Sequence, residues 1–507
     1  MNYWVLFTLI ALPGIGGVAL VFLPSSNHKL IRWFSTVVAG ACFLLSVLAF
    51  FSYDRDAGGY QFARTFEWLP ILGIKYSLGI DGISALMVLL TGIVFITGVL
   101  ISWNITRRPK DFFVLYLLLV SGVFGVFVSQ DLFFFFFFYE LAVVPMYLLI
   151  GVWGSSSEFQ EGRFGSWLRG KKTYGRPKEY GAMKLTLYLV AGSVPVWIGI
   201  LAVYVAGDQN SFLFSDLAKV QFDPGFQRFF FPLFMVGFGI LAGLWPFHTW
   251  SPDGHVAAPT SVSMVHAGVL MKLGAYGVLR SMEILPSGAE DWMPILVGLG
   301  TVNVVYGAIS AMAQKDLKYV IGYSSVSHMG YVLMGIATLE PLGVGGAVLQ
   351  MFSHGIMTAL FFALVGAIYD RSHVRDIGVL EGLAKRMGVT SAFFVVAGLA
   401  SLGLPGLSGF VAEFLVFLGL FRTYPLLGVL GVIGAALTAA YILRLMAKVF
   451  FGPLSERWQG LADPTYREKA AFGALVLVLL VVGIFPTYFI HAIDSGVVPF
   501  VQRITGA

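Results

Sequence analysis

The sequence has a single cysteine, Cys42, in 507 residues, and only 12% of it is Asp, Glu, Lys or Arg. One thiol excludes a disulfide framework and any metal site built on several cysteines. Soluble domains carry roughly 25% charge, so this composition excludes a water-soluble globule. Alternation of apolar and polar residues is also missing, which argues against an outer-membrane barrel. No phosphate-binding glycine loop, GxGxxG turn or Cys/His cluster occurs, so the chain has no motif for ATP, NAD or iron–sulfur chemistry. What is abundant points one way. The chain is 58% hydrophobic, with 46 Phe, 21 Tyr and 11 Trp, and its 60 Gly and 21 Pro suit helices in lipid. The net charge of +5 implies no nucleic-acid partner, because the basic residues fill short gaps between apolar runs.

A bilayer is crossed by about 20 apolar residues, and by that measure the sequence predicts about fourteen spans. They lie near 3–23, 33–51, 83–104, 112–129, 131–153, 182–206, 229–246, 258–279, 292–313, 319–338, 343–369, 389–420, 424–447 and 470–491. The expected fold is therefore an all-α, polytopic membrane protein. Met1-Asn2-Tyr3-Trp4 lacks the basic start of a signal peptide, so the first span is expected to be retained. Lysine and arginine crowd the loops of one side, among them Arg163, Arg169, Lys171, Lys172 and Arg176 in the 154–181 loop. The positive-inside rule puts that side in the cytoplasm of a bacterial inner membrane and both termini outside. The 154–181 loop reads as a topology determinant, with partner docking as the alternative.

Ionisable groups in a lipid-spanning helix are costly, and each is by default a functional hypothesis. Glu140 follows the run Phe133–Phe138 and Tyr139, deep in the fifth span, and Glu413 lies within the twelfth. Lys272 sits in the middle of the eighth span, whereas Lys184 lies one turn inside the sixth and could snorkel to the surface. His266, His328 and His354 also fall in apolar stretches. Imidazole exchanges protons near neutral pH, which favours a proton relay over haem ligation. For His266 an ordinary core role stays open.

Two spans carry breaks: Gly243-Leu244-Trp245-Pro246-Phe247-His248 in the seventh and Gly403-Leu404-Pro405-Gly406 in the twelfth. Proline lacks an N–H and clashes with the preceding turn, so both helices are expected to unwind there. Irregular backbone at membrane depth is tolerated where it is packed in protein or lines a hydrated cavity. Breaks at matching places suggest two inverted five-helix repeats, the transporter pattern. The expected organisation is helices 1–3 over 1–110, one repeat over 111–282, a second over 291–451, and a closing loop and helix over 452–507.

Several motifs recur in a known family: Asp81-Gly82-Ile83-Ser84, Tyr139-Glu140-Leu141, Pro246-Phe247-His248-Thr249-Trp250, Ala258-Pro259-Thr260 and Tyr323-Ser324-Ser325-Val326-Ser327-His328-Met329-Gly330. With Asp316-Leu317-Lys318 and Leu404-Pro405-Gly406 before Phe410-Val411-Ala412-Glu413-Phe414, the chain resembles the antiporter-like subunits of respiratory complex I and of multi-subunit sodium/proton antiporters. The glutamate at 413 and the early stop after the last span make it similar to the subunit 4 (chain M) type. That resemblance implies a proton-translocating, non-redox subunit of an NADH:quinone oxidoreductase, with no cofactor of its own. NAD, FMN, iron–sulfur clusters and quinone would belong to partner subunits, among them homologous antiporter-like chains. It also implies roles: Glu140 as carboxylate of the first half-channel, Lys272, His328 and His354 as central relay, Glu413 as terminal site, and Lys184 as a further basic member. His248 and His266 are secondary candidates.

One position departs from the family pattern. A lysine is usual five residues before the proline of the seventh-span break, and here that residue is Leu241. Glu140 therefore lacks its expected partner, and the first half-channel is expected to be altered or idle. Competing readings are a cation/proton antiporter or hydrogenase-type subunit, a haem protein using His328 and His354, and a purely structural arm member.

Overall fold

A computed structural model describes residues 3–155, 178–207 and 211–506. The basic residues Arg163 to Arg176 of the 154–181 loop lie outside the described residues. In chain order the principal elements are α1 (Trp4–Phe22), α2 (His28–Phe51), β1 (Gln61–Leu69), β2 (Ile74–Ile80), α3 (Gly82–Ile101), α4 (Pro109–Val128), α5 (Leu132–Trp153) and α6 (Lys178–Ala206). There follow α7 (Pro224–Ala242), α8 (Trp250–Ala257), α9 (Thr260–Val265), α10 (Met271–Ile284), α11 (Pro286–Ala313), α12 (Leu317–Ala337) and α13 (Pro341–Ser372). The chain closes with α14 (Gly388–Ser401), α15 (Ser408–Thr423), α16 (Pro425–Phe450), α17 (Tyr466–Ile484) and α18 (Pro486–Thr505).

Five of the 27 acidic residues are spent on helix starts. Asp81, Asp131, Asp223, Asp316 and Glu340 each cap a helix, their side chains accepting backbone N–H groups of the first turn. These donors would otherwise be unsatisfied, and the carboxylate also meets the positive end of the helix dipole. Among the described residues, twelve helices are long and apolar enough to cross a membrane, or up to thirteen if one bent pair counts as a single span. The expected twelfth span is not among them, because it is split into α14 and the separate α15.

Three features differ from the expectation. The 52–81 segment is not plain loop: β1 and β2 form an antiparallel hairpin, Arg64 opposite Leu78 and Glu67 opposite Lys75. The last span does not end at 491. Pro486 starts a new helix after Ile484, and α17 and α18 meet at 78°. Finally, the eighth span is not one regular helix, for a π turn over His266–Leu270 separates α9 from α10. Such turns often mark functional positions in helices.

Both expected breaks are present and share one backbone pattern. After α7, Gly243 takes a left-handed conformation (φ 80°), and Leu244 N–H bonds to Gly239 O at 2.8 Å. After α14, Gly403 does the same (φ 74°), and Leu404 N–H bonds to Leu399 O at 3.0 Å. This is the helix-ending motif in which the turn N–H groups satisfy the last carbonyls and only glycine sits without strain. Buried Asn303 secures the first break, accepting from Trp245 N–H at 2.6 Å and donating to Gly243 O at 2.7 Å.

The two most deeply packed spans, Thr260–Ile284 and Pro341–Ser372, are each wholly buried over their apolar windows, whereas α16 is buried over only 33% of its own. Polar groups carried on the first two therefore face protein and not lipid.

Candidate functional site

A line of polar side chains runs between the broken helices. Lys272, on the first turn of α10, is fully buried; its Nζ donates to the Ala267 carbonyl of the π turn and contacts His354 Nδ1 at 2.8 Å. His354 on α13 packs against His328 on α12, with ring centroids 5.3 Å apart. His328 Nδ1 lies 3.2 Å from Glu413 Oε1, and its Nε2 lies 3.1 Å from the Ser401 hydroxyl. Gln350 bridges the last pair, 3.3 Å from both His328 Nδ1 and Glu413 Oε1. Four expected residues are thus brought into one contiguous line: Lys272, His354, His328 and Glu413. They come from four helices, α10, α13, α12 and α15.

The other expected residues stand apart. Glu140 on α5 is only partly buried and accepts a short hydrogen bond from the Ser193 hydroxyl. Among the described residues no cation lies within ion-pair distance of it. Leu241, at 1% exposure, ends α7 in apolar packing. Lys184 does not snorkel: it forms a 2.8 Å ion pair with Asp253, which also accepts from Tyr319 at 2.9 Å. His248 lies in the first break, its ring 5.0 Å from that of Tyr306. His266 is stacked on Trp250 and lies 4.2 Å, ring to ring, from His255. Both ring nitrogens of His248, His255 and His266 lack a hydrogen-bond partner among the described residues, although all three are buried.

Several polar residues of the interior had no role in the sequence reading. Asp253 sits at the same offset from Gly243 as Glu413 from Gly403, so laying one break over the other would have found it. His255 and Lys318 were hidden at span ends; Lys318 is in fact buried, its Nζ donating to Ala258 O at 2.8 Å. Arg375, in the segment after α13, is also buried and sits 3.1 Å from the helix-capping carboxylate of Asp316. Arg280, near the end of α10, is buried between Asp81 at 2.6 Å and Glu283 at 2.5 Å. Burial pushes the Asp81 carboxyl up, but Arg280 and the Ser84 N–H outweigh it and hold the group below the usual aspartate range.

Chemically, the line joins three groups that carry a proton as a cation, Lys272, His354 and His328, to one that carries it as a neutral acid, Glu413. Among the described residues no group of three or more His, Cys, Asp or Glu has the arrangement of a metal site.

Comparison with known proteins places this geometry in context. Residues 168–438 match the family described as NADH:quinone oxidoreductase/Mrp antiporter, TM. The NAD(P)H-quinone oxidoreductase chain 4 of Synechococcus elongatus is 38% identical over 489 residues, covering 94% of this chain and 88% of that one. The corresponding protein of Gloeobacter violaceus is 36% identical over 493 residues, with 95% and 89% covered. In three dimensions the chain is similar to one in respiratory complex I of Thermus thermophilus, with TM-score 0.88, 28% identity, and 98% and 99% of the two chains covered. A chain of the Mrp complex of a Dietzia species has the same fold at 19% identity, TM-score 0.82 and 98% coverage of both.

Proposed function

This chain belongs to the NADH:quinone oxidoreductase/Mrp antiporter membrane family, and from that premise we propose that it is a proton-translocating membrane-arm subunit of a complex I-like NADH:quinone oxidoreductase. The observation that carries the reading is the contiguous buried line Lys272–His354–His328–Glu413. A lysine, two imidazoles and a carboxylate in contact inside a membrane bundle suit proton handoff, and a structural core has no need of them. Glu413 serves as the terminal acceptor and Lys272 as the central switch. The Lys184–Asp253 pair belongs to the first half, where Glu140 lacks a cationic partner and Leu241 cannot carry a proton. Glu140, His248 and His266 are secondary members linked to the line through water in the broken regions.

In this reading the chain supplies no redox chemistry. NAD, FMN, iron–sulfur clusters and quinone reside in partner subunits, and homologous antiporter-like chains adjoin it in the membrane. The basic loops face the cytoplasm, both termini face outward, and fourteen spans include two inverted repeats over 111–282 and 291–451. The matched hydrogen-bond pattern at Gly243 and Gly403 supports that division.

The haem alternative fits poorly. The rings of His328 and His354 are stacked at 5.3 Å, and both His328 nitrogens are engaged with protein groups. A haem held by both histidines would need the two imidazoles on opposite faces of the porphyrin, each turning a free nitrogen to the iron. The antiporter alternative rests on fold likeness.

Glu413→Gln, assayed in membrane vesicles as protons moved per electron, tests the proposal. The ratio is expected to lose the whole share carried by this chain while the homologous chains keep theirs, because removal of a proton-transfer residue slows its own channel about 100-fold or more. Unchanged flux would overturn the reading, and co-purification without flavin or iron–sulfur subunits would redirect it to the antiporter.

A further inference from the structure

A second built feature lies on the basic face, away from the buried line. The end of α11, the loop after α13 and the last turns of α16 enclose a cleft of about 420 Å³. Gln314, Lys315, Asp376, Tyr441, Arg444 and Lys448 supply its polar groups. Three cations converge there from two different segments, against one carboxylate. Asp376 is already engaged, its Oδ1 accepting the Gly378 N–H at 2.7 Å. Among the described residues no carboxylate lies within ion-pair distance of Lys315, Arg444 or Lys448. A helix dipole accounts for a lysine in the last turn of α16; it does not account for three cations set around a concavity. The apolar lining matches too. Met312, Val379 and Leu445 contribute to the wall, and the same helix α16 exposes Val429, Val432, Ile433 and Leu443 along its outer side.

We propose that this cleft binds the headgroup of an anionic phospholipid. The phosphodiester lies among Lys315, Arg444 and Lys448, and the acyl chains run along the exposed apolar side of α16. Charge complementarity selects the occupant, since a concentrated positive site on the basic side of a bundle attracts anionic headgroups. Guanidinium and ammonium groups are the donors that phosphate oxygens take. The volume exceeds that of a few waters and admits a phosphoglycerol group. Tyr441 forms part of the wall, and its hydroxyl donates inward to Ser324 at 2.7 Å. It also lies beside Ser401, the residue that holds His328 Nε2. The lipid site therefore abuts the second layer of the proton line and rests on its own observations, independent of the transport reading.

The experiment uses the intact purified complex that contains this chain. Delipidated complex is incubated with vesicles of phosphatidylglycerol or of phosphatidylcholine, or with inorganic phosphate alone, and retained phospholipid is quantified. Phosphatidylglycerol is expected to be retained over phosphatidylcholine. The Arg444→Gln/Lys448→Gln double variant is expected to retain about 10-fold less or lower still, from two lost surface charges. Both positions are exposed, and unchanged thermal unfolding checks that the variant folds. Equal retention of the two lipids overturns the proposal, as does wild-type retention by the double variant. Competition by inorganic phosphate as strong as by lipid assigns the cleft to a free anion and overturns it as well. A Val379→Cys variant in a Cys42→Ser background supplies the last check: efficient crosslinking to another subunit would show that protein covers the cleft.

Discussion

Leu241 and Ser401 occupy matching positions, each two residues before the left-handed glycine that ends its half-helix. At 401 a hydroxyl holds His328 Nε2 at 3.1 Å; at 241 a leucine is packed at 1% exposure. The polar line therefore closes on one break and not on the other. Glu140 is left with Ser193, a neutral donor that steadies a carboxyl group without supplying charge. The expected consequence is an asymmetric pump. Glu140→Gln should leave protons moved per electron unchanged, whereas Glu413→Gln should remove this chain's share of the ratio. Leu241→Lys should raise the ratio and make it dependent on Glu140. A full wild-type ratio that collapses in Glu140→Gln would refute the asymmetry. At this scale the sequence was informative wherever a charge stood in an apolar run, as with Lys272, His354 and Glu413. It was silent where a charge stood at a helix end, as with Lys318 and Arg280, because local composition there looks like loop and only tertiary packing buries it.

The breaks are built as elements and not as defects. Gly243 and Gly403 end their helices with the same turn bonds, and Asn303 from α11 ties down the first break through three contacts, to Trp245 N, Gly243 O and, at 3.3 Å, Val326 O. Removing that amide leaves a buried N–H and a buried carbonyl unsatisfied. Asn303→Ala is expected to cost about 1–3 kcal/mol, read as a lower midpoint of thermal unfolding in detergent. Asn303→Asp should recover part of it, because the carboxylate still accepts from Trp245 N–H. A midpoint unchanged in the alanine variant would show that the break is held by its own turn. Proline and glycine made both breaks legible in the sequence. The β1–β2 hairpin was not, because β1 is mostly exposed and lacks the alternation of a half-buried strand. Nor was the π turn over His266–Leu270, which no residue type announces.

Across the whole molecule the few charges divide by position. Among the described residues five carboxylates cap helices, and charged groups form the interior line, the Lys184–Asp253 and Arg375–Asp316 pairs and a buried three-residue ion cluster. That cluster, Arg280 with Asp81 and Glu283, joins the start of α3 and the end of the hairpin to α10, and so ties the amino-terminal helices to the first proposed repeat. Replacing Arg280 by methionine would strand two buried carboxylates, and removal of one partner from such a group costs about 3–5 kcal/mol. The folded Asp81 carboxyl is held below its ordinary value, first against burial and then by Arg280 and Ser84. Its contribution to stability is therefore complete above the unfolded aspartate value of about 3.9 and is lost as pH falls through the lower folded value. Thermal midpoints measured from neutral pH down to about pH 3 should fall for the wild type at the acid end. Asp81→Asn should begin lower and show a shallower fall over that window, since asparagine keeps the cap but not the charge. Parallel curves for the two proteins would mean that Arg280 draws its support from Glu283, and that the link between the amino-terminal helices and the first repeat is not electrostatic.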